Sequence, residues 1–336
     1  MIAIIADDFS GAAELAGIAA ARGFKTEVQT EFDPGSAAEV IAVDTDTRLK
    51  PAEEAAHTVA AVTRRIVEAK PAWIYKKTDS VLRGHVRAEI EAILDTTGQR
   101  DCLFIPANPS KDRLIVDGRY FVSGVPLDQT VFSHDPDDPR RSAVVRDLLG
   151  ESARIRTPDA RTLEDLNHSI APATLAAGAA DFFGVLLGGS PVPPARVRAE
   201  VSLLLCGSLA AWETGRATQM TERGFTVRTL TEPVSADLWQ QTRKLMLAIG
   251  KPPSVDMACV TEQLIDSALP LIVNRSDIRI GLEGGATAMA FIRRMGWTRF
   301  EVIPEGHVGV GSLRPPGGPV LCVKPGSYPW PQECFP

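Results

Sequence analysis

Cysteine, positive charge and long apolar runs are all in short supply in this chain of 336 residues, and each shortage excludes something. The five cysteines, Cys102, Cys206, Cys259, Cys322 and Cys334, are scattered without a C-x-x-C pair. Zinc spacing and a disulfide framework are therefore unsupported, and reduced thiols inside a cell are the expectation. Lysine and arginine total 36 against 42 acids, a net charge of −6, which disfavours a general binder of nucleic-acid backbones. No stretch reaches the roughly 18 apolar residues of a membrane span. The opening Met1 to Asp8 has no basic region ahead of its short apolar run and reads as a strand, so a cytoplasmic protein is expected. Neither G-x-x-x-x-G-K-[ST] nor G-x-G-x-x-G occurs. The histidines (His57, His85, His134, His168, His307) have no metal-ligand spacing and no serine and aspartate companions, and no protein metal site is predicted.

What is present is an α/β rhythm. Apolar runs at Ile2 to Ala6, Lys25 to Thr30, Glu39 to Val43, Trp73 to Lys76 and Asp101 to Ile105 alternate with helical segments at Gly11 to Arg22, Pro51 to Lys70 and Arg83 to Leu94. That order predicts a mostly parallel sheet flanked by helices. The pattern stops between Asn108 and Arg141, where turn formers and charges crowd together, and an ordered excursion over the sheet is expected. Gly188 to Pro194 reads as a linker. Two α/β domains are predicted, residues 1–190 and 200–336, each a mostly parallel sheet with helices on its faces, and a ligand cleft between them.

Three polar clusters fall at predicted strand ends of the first domain: Asp7-Asp8-Phe9-Ser10-Gly11, Asp44-Thr45-Asp46-Thr47-Arg48, and Lys76-Lys77-Thr78-Asp79-Ser80 with Arg83-Gly84. Helix capping would account for any one of them. Capping does not call for Asp-Thr-Asp-Thr-Arg or a lysine pair, and ligands of open α/β sheets bind at the carboxyl ends of strands. Carboxylates there can accept from sugar hydroxyls, and Arg48, Lys77 or Arg83 can clamp a carboxylate. In the second domain Cys206-Gly207-Ser208, Gly284-Gly285-Ala286-Thr287 and Lys324-Pro325-Gly326 end strands, and the first two open helices. Such turns suit phosphate, although a plain strand-to-helix turn has the same composition.

With these motifs, together with Ile105 to Pro109, Gly118-Arg119-Tyr120 and Val125 to Pro139, the chain resembles the four-carbon acid sugar kinases along nearly its whole length. The resemblance implies a sugar-acid-binding first domain and an abbreviated nucleotide-binding second one. It implies phosphoryl transfer from ATP, with Mg²⁺, to a hydroxyl of a tetronate or oxo-tetronate. Carried over residue by residue, Asp7, Asp8, Ser10, Asp46, Arg48, Lys77, Asp79, Ser80 and Arg83 would meet the substrate, with Asp8 or Asp79 orienting or deprotonating the hydroxyl. Ser208, Gly284, Gly285, Ala286, Thr287 and Gly326 would meet ATP. Ala286 stands where the family commonly has an acid, and Ser327 to Trp330 where it has glycine and phenylalanine. A non-catalytic sugar-acid-binding or regulatory protein is thus the alternative. An aspartyl phosphatase using Asp44 in Asp44-Thr45-Asp46-Thr47 is a further one. The expected partners are small molecules, with neither nucleic acid nor membrane, and a homo-oligomer is compatible.

Overall fold

A computed structural model describes the chain except for residues 136, 137, 196, 198, 200, 233, 252–255, 273–276, 308, 327, 328 and 336. The sequence feature at Ser327-Tyr328 lies outside the described residues. The chain forms two compact units, Met1–Ser190 and Pro191–Pro336.

The first unit runs β1 (Ile2–Ala6), α1 (Phe9–Ala20), β2 (Thr26–Gln29), β3 (Val40–Asp44), α2 (Ala52–Glu68), β4 (Trp73–Lys77), α3 (Val86–Thr97), β5 (Asp101–Ile105), β6 (Arg113–Val116), β7 (Arg119–Val122), β8 (Val125–Pro126), α4 (Val145–Leu149), β9 (Ile155–Arg156), β10 (Thr174–Gly178) and α5 (Ala180–Leu187). Its main sheet has the order β2-β3-β1-β4-β10-β5-β9, parallel throughout. A parallel sheet covered on both faces needs strands that are apolar on both, and Ile-Ala-Ile-Ile-Ala in β1 supplies this. The helix α2 is one-sided instead, burying Ala55, Val59, Thr63 and Ile66 at helical spacing.

Registers align Ala6 with Asp44 on one side and with Lys77 on the other, so three polar clusters leave adjacent strands at one level. At the end of β10, Gly178 (φ +150°) lies so close to β5 that an added Cβ would sit 2.0 Å from the Ile105 carbonyl oxygen. The described residues of the segment after β5 form the expected ordered excursion. It folds into an antiparallel sheet β6-β7-β8, and the buried Tyr120 hydroxyl donates to the carbonyls of Ser80 and Pro106. The helix expected from Arg83 starts at Val86, because Leu82 (φ 65°) and Gly84 (φ 84°) make a left-handed turn before it.

The second unit runs β11 (Val201–Cys206), α6 (Leu209–Glu213), α7 (Arg216–Glu222), β12 (Thr226–Thr229), α8 (Ala236–Gln241), β13 (Lys244–Ala248), α9 (Met257–Ile272), β14 (Ile278–Glu283), α10 (Gly285–Met295), β15 (Arg299–Ile303), β16 (Gly311–Arg314) and β17 (Val320–Lys324). The strand order is β12-β13-β11-β14-β17-β16-β15, with β16 antiparallel to both its neighbours. The helical stretch that Ser208 opens is broken at Gly215 (φ 85°) into α6 and α7. Among the described residues no helix is long and apolar enough to cross a membrane.

Candidate functional site

Asp8 caps α1, accepting from the Gly11 N–H at 2.9 Å and from the Ser10 hydroxyl. Arg48 is held by its backbone, since the Thr47 and Arg48 N–H groups donate to the Asp7 carbonyl. Its guanidinium grips both Asp7 oxygens at 2.8 and 3.0 Å and reaches Asp8 Oδ1 at 2.8 Å. Asp79 receives a second fork, from Arg83 at 2.8 and 3.0 Å, while Arg83 also donates to Asp135 at 3.0 Å. Asp79 lies 3.9 Å from Arg48, which joins the two pairs. Gly84 closes this acidic locus: a Cβ there would come within 3.3 Å of Asp7 Oδ2 and 3.4 Å of Arg48 Cγ. Burial opposes ionisation of Asp7, but Arg48 and Lys76 outweigh it and hold the carboxyl below its ordinary range. Burial likewise opposes ionisation of Asp79, and Arg83 and Arg48 hold it well below that range.

A basic locus lies beside it. Lys77 pairs with Glu14 of α1 at 3.5 Å and donates to the Thr78 carbonyl at 3.0 Å. Lys111 pairs with the same Glu14, and Arg113 donates to the Ser80 hydroxyl. Burial would raise the Glu14 carboxyl, but Lys111 and Lys77 hold it lower. The loci meet at Gly11, where an added Cβ would lie 2.7 Å from Asp8 Oδ1 and 3.3 Å from Lys77 Nζ. Glu14, Lys111 and Arg113 escaped the sequence reading. The first sits in an alanine-rich helix that reads as packing, and the others in a segment without period.

Of the sequence-predicted residues, Asp7, Asp8, Ser10, Arg48, Asp79 and Arg83 share the acidic locus, while Lys77 and Ser80 belong to the basic one. Asp46 (φ 48°) turns the backbone beside them, its N–H donating to Asp44 Oδ1 at 2.9 Å. Burial pushes the Asp44 carboxyl well above its usual range, the opposite of what an aspartyl nucleophile needs. His85 is engaged by the Lys50 carbonyl, and His134 by the Ser133 hydroxyl at 2.9 Å.

In the second unit Cys206, Glu283 and Lys324 end β11, β14 and β17 in register. The turns that follow pack tightly. A Cβ on Gly207 would lie 2.0 Å from Thr287 Oγ1, and one on Gly326 would lie 2.2 Å from Ser208 Oγ. Gly284 (φ 105°) precedes α10, with Gly285 as the first residue of that helix and Ala286 exposed on its first turn. The five nucleotide candidates Ser208, Gly284, Gly285, Thr287 and Gly326 thus surround one set of strand ends, with Ala286 at the rim. Beneath them Glu283, fully buried, accepts from Lys324 at 2.6 Å, Arg216 at 2.9 and 3.1 Å and the Trp330 indole at 3.2 Å. Glu283 and Arg216 were passed over in the sequence, and Trp330 was noted only within a departure from the family's pattern. His307 is 3.7 Å from Glu305, itself gripped by Arg279 at 2.7 Å, an arrangement that braces the unit's interior.

Residues 2–183, which hold both loci of the first unit, match the sugar-binding N-terminal domain family. The chain belongs to this family. The acidic and basic loci are therefore features of a sugar-binding domain. A D-threonate kinase from Salmonella typhimurium is 32% identical over 187 residues, 55% of this chain and 44% of that protein. A D-erythronate kinase from Heliobacterium modesticaldum is 35% identical over 159 residues, 46% of this chain and 36% of that protein. A 3-oxo-tetronate kinase from Brucella melitensis is 27% identical over 168 residues, 46% of this chain and 37% of that protein. The matched part thus spans less than half the length of these relatives. The fold is shared with a Haemophilus influenzae protein of the DUF1537 family (TM-score 0.69, 17% identity, 99% of this chain and 98% of that one). It is shared also with a Salmonella typhimurium protein (TM-score 0.75, 16% identity, 99% and 97%).

Proposed function

We propose that the protein is an ATP-dependent kinase of a four-carbon sugar acid, a tetronate or oxo-tetronate, with the sugar acid bound by the first unit and the nucleotide by the second. The observation that carries the reading is the convergence of Asp7, Asp8, Arg48, Asp79, Arg83 and Lys77 on adjacent strand ends of a sugar-binding domain. Phosphoryl transfer asks the protein mainly to position reactants and to offset charge. In this reading the carboxylates of the acidic locus accept from the substrate's hydroxyls. Asp8 orients the attacking hydroxyl and takes its proton. Asp79, held ionised by Arg83, serves to position the substrate.

The second unit fits a nucleotide by its cradle. Glycine at 207 and 326 lets the turns after β11 and β17 close onto Thr287 and Ser208, and α10 begins there with the N–H groups of its first turn. Mg²⁺ neutralises phosphate charge when bound. The chain's fit to it here is poor, since Glu283 is engaged by Lys324 and Arg216 and Ala286 carries no ligand, so the phosphates would bring the metal and no step depends on a protein-held ion. The unpaired thiols agree with a cytoplasmic setting. A coupled assay with ATP and a panel of tetronates and oxo-tetronates tests the proposal, and no turnover with any of them refutes it. The exposed Ala286 favours a second reading, a sugar-acid-binding protein without catalysis. Calorimetry that detects sugar acid but no Mg-ATP would select it.

A further inference from the structure

We infer that the carboxylate of the sugar acid is held at the basic locus, by Lys77, Lys111 and Arg113, while Arg48 and Arg83 act as fixed counter-ions that position the hydroxyl-accepting carboxylates. The inference rests on the proposal that the first unit binds a sugar acid, and it says where the charged end of that ligand goes.

Charge separates the loci. Around Arg48 and Arg83 stand Asp7, Asp8, Asp79 and Asp135, and both guanidinium forks already lie on carboxylates of the chain. A further carboxylate arriving there would displace one of these acids and still face the others. At the basic locus three cations stand around Glu14 and the Ser80 hydroxyl. Lys77 and Arg113 are nearly inaccessible to solvent. A buried ammonium such as that of Lys77 is stabilised by anions, and an arriving carboxylate would add one to Glu14.

Polar satisfaction marks the same place independently. Thr78 Oγ1 and Asn108 Nδ2 are buried with no hydrogen-bond partner among the described residues. Both lie in the loops that build the basic locus. The Thr78 carbonyl takes the Lys77 ammonium, and Asn108 pairs through its backbone with Arg113. Buried donors left unsatisfied in a folded chain call for an explanation, and an acceptor brought by a ligand is one. The scale also fits. Asp8 Oδ1 and Lys77 Nζ lie within about 6 Å of each other across Gly11, so one short polyhydroxy acid can place its carboxylate among cations and a hydroxyl against carboxylates.

The test is calorimetric titration of the full chain with a tetronate, using wild type, Lys111→Gln, Lys111→Arg and Asn108→Asp, with a melting curve for each. Lys111 sits on a surface turn with its side chain partly exposed, so its variants are expected to fold. Loss of a charged hydrogen bond predicts about 10- to 100-fold weaker binding for Lys111→Gln. Lys111→Arg should stay within about threefold of wild type, and Asn108→Asp, which adds a negative charge beside the ligand's own, should also bind at least about tenfold more weakly. Wild-type affinity in Lys111→Gln, or failure of Lys111→Arg to restore it, overturns the inference. A wild-type protein that binds no four-carbon sugar acid instead refutes the proposal beneath it.

Discussion

Replacing Arg48 with methionine keeps the aliphatic stem and removes the fork, leaving Asp7 and Asp8 without their shared cation. Two regimes give different losses, and burial decides between them. Exposed ion pairs contribute about 0–1 kcal/mol. Breaking a buried pair costs about 3–5 kcal/mol, because a charge stays behind uncompensated. The side chains are 16% exposed for Arg48, 4% for Asp7 and 11% for Asp8, so the buried regime applies. For a unit of this size, that loss lowers the melting temperature by roughly 6–20 °C. The pH dependence has a definite sign. Asp7 has a folded pKa below its unfolded value of about 3.9, so the stability it gains from Arg48 is complete above that value and fades as pH falls through the folded one. Without Arg48, burial dominates and raises Asp7, so the variant's deficit is greatest at neutral pH and narrows on acidification. Adding Asp7→Asn removes much of the stranded charge and should recover part of the loss. Urea unfolding followed by circular dichroism at about pH 7 and about pH 4.5 measures both effects. A deficit below about 1 kcal/mol at neutral pH, or one that grows on acidification, would refute the reasoning.

Gly326→Ala places a methyl against Ser208 Oγ and Cβ, at 2.2 and 2.7 Å before relaxation. Overpacking of about 1–3 kcal/mol and weaker ATP binding are expected, to be read by melting and by nucleotide titration. Glu283→Gln leaves Lys324 and Arg216 buried around a neutral amide, and about 3–5 kcal/mol of stability should be lost. Denaturant unfolding that shows Glu283→Gln as stable as wild type would mean that the ions are not desolvated together.

Much of the fold was legible because it depends on local pattern. Ile-Ala-Ile-Ile-Ala can hardly be anything but a covered strand, and the spacing of Ala55, Val59, Thr63 and Ile66 marks one face of a helix. The acidic residues of the candidate site were legible for a related reason. Strand ends and the residues after them can be read from the chain, and parallel strands deliver those ends to one edge. Helix starts were less legible. The turn before α3 depends on Leu82 in a left-handed conformation, which nothing in its side chain announces.

Pairing of charges was the part no local pattern could supply, and it changes the chemistry assigned to each residue. Asp-Thr-Arg in sequence offers a free guanidinium; in the folded chain Arg48 closes back on Asp7, 41 positions earlier. Glu14 reads as one acid in an alanine-rich helix, yet it draws Lys77 from the end of β4 and Lys111 from a turn 97 positions away. A polyhydroxy acid needs both kinds of surroundings at once, since its hydroxyls donate to carboxylates while its own carboxylate is repelled by them. Separating acidic from basic groups across a side-chain-free position resolves that conflict. On the proposed binding mode Gly11 also has a role beyond helix geometry: any side chain there would stand between Asp8 and Lys77, where the sugar acid would pass from one environment to the other.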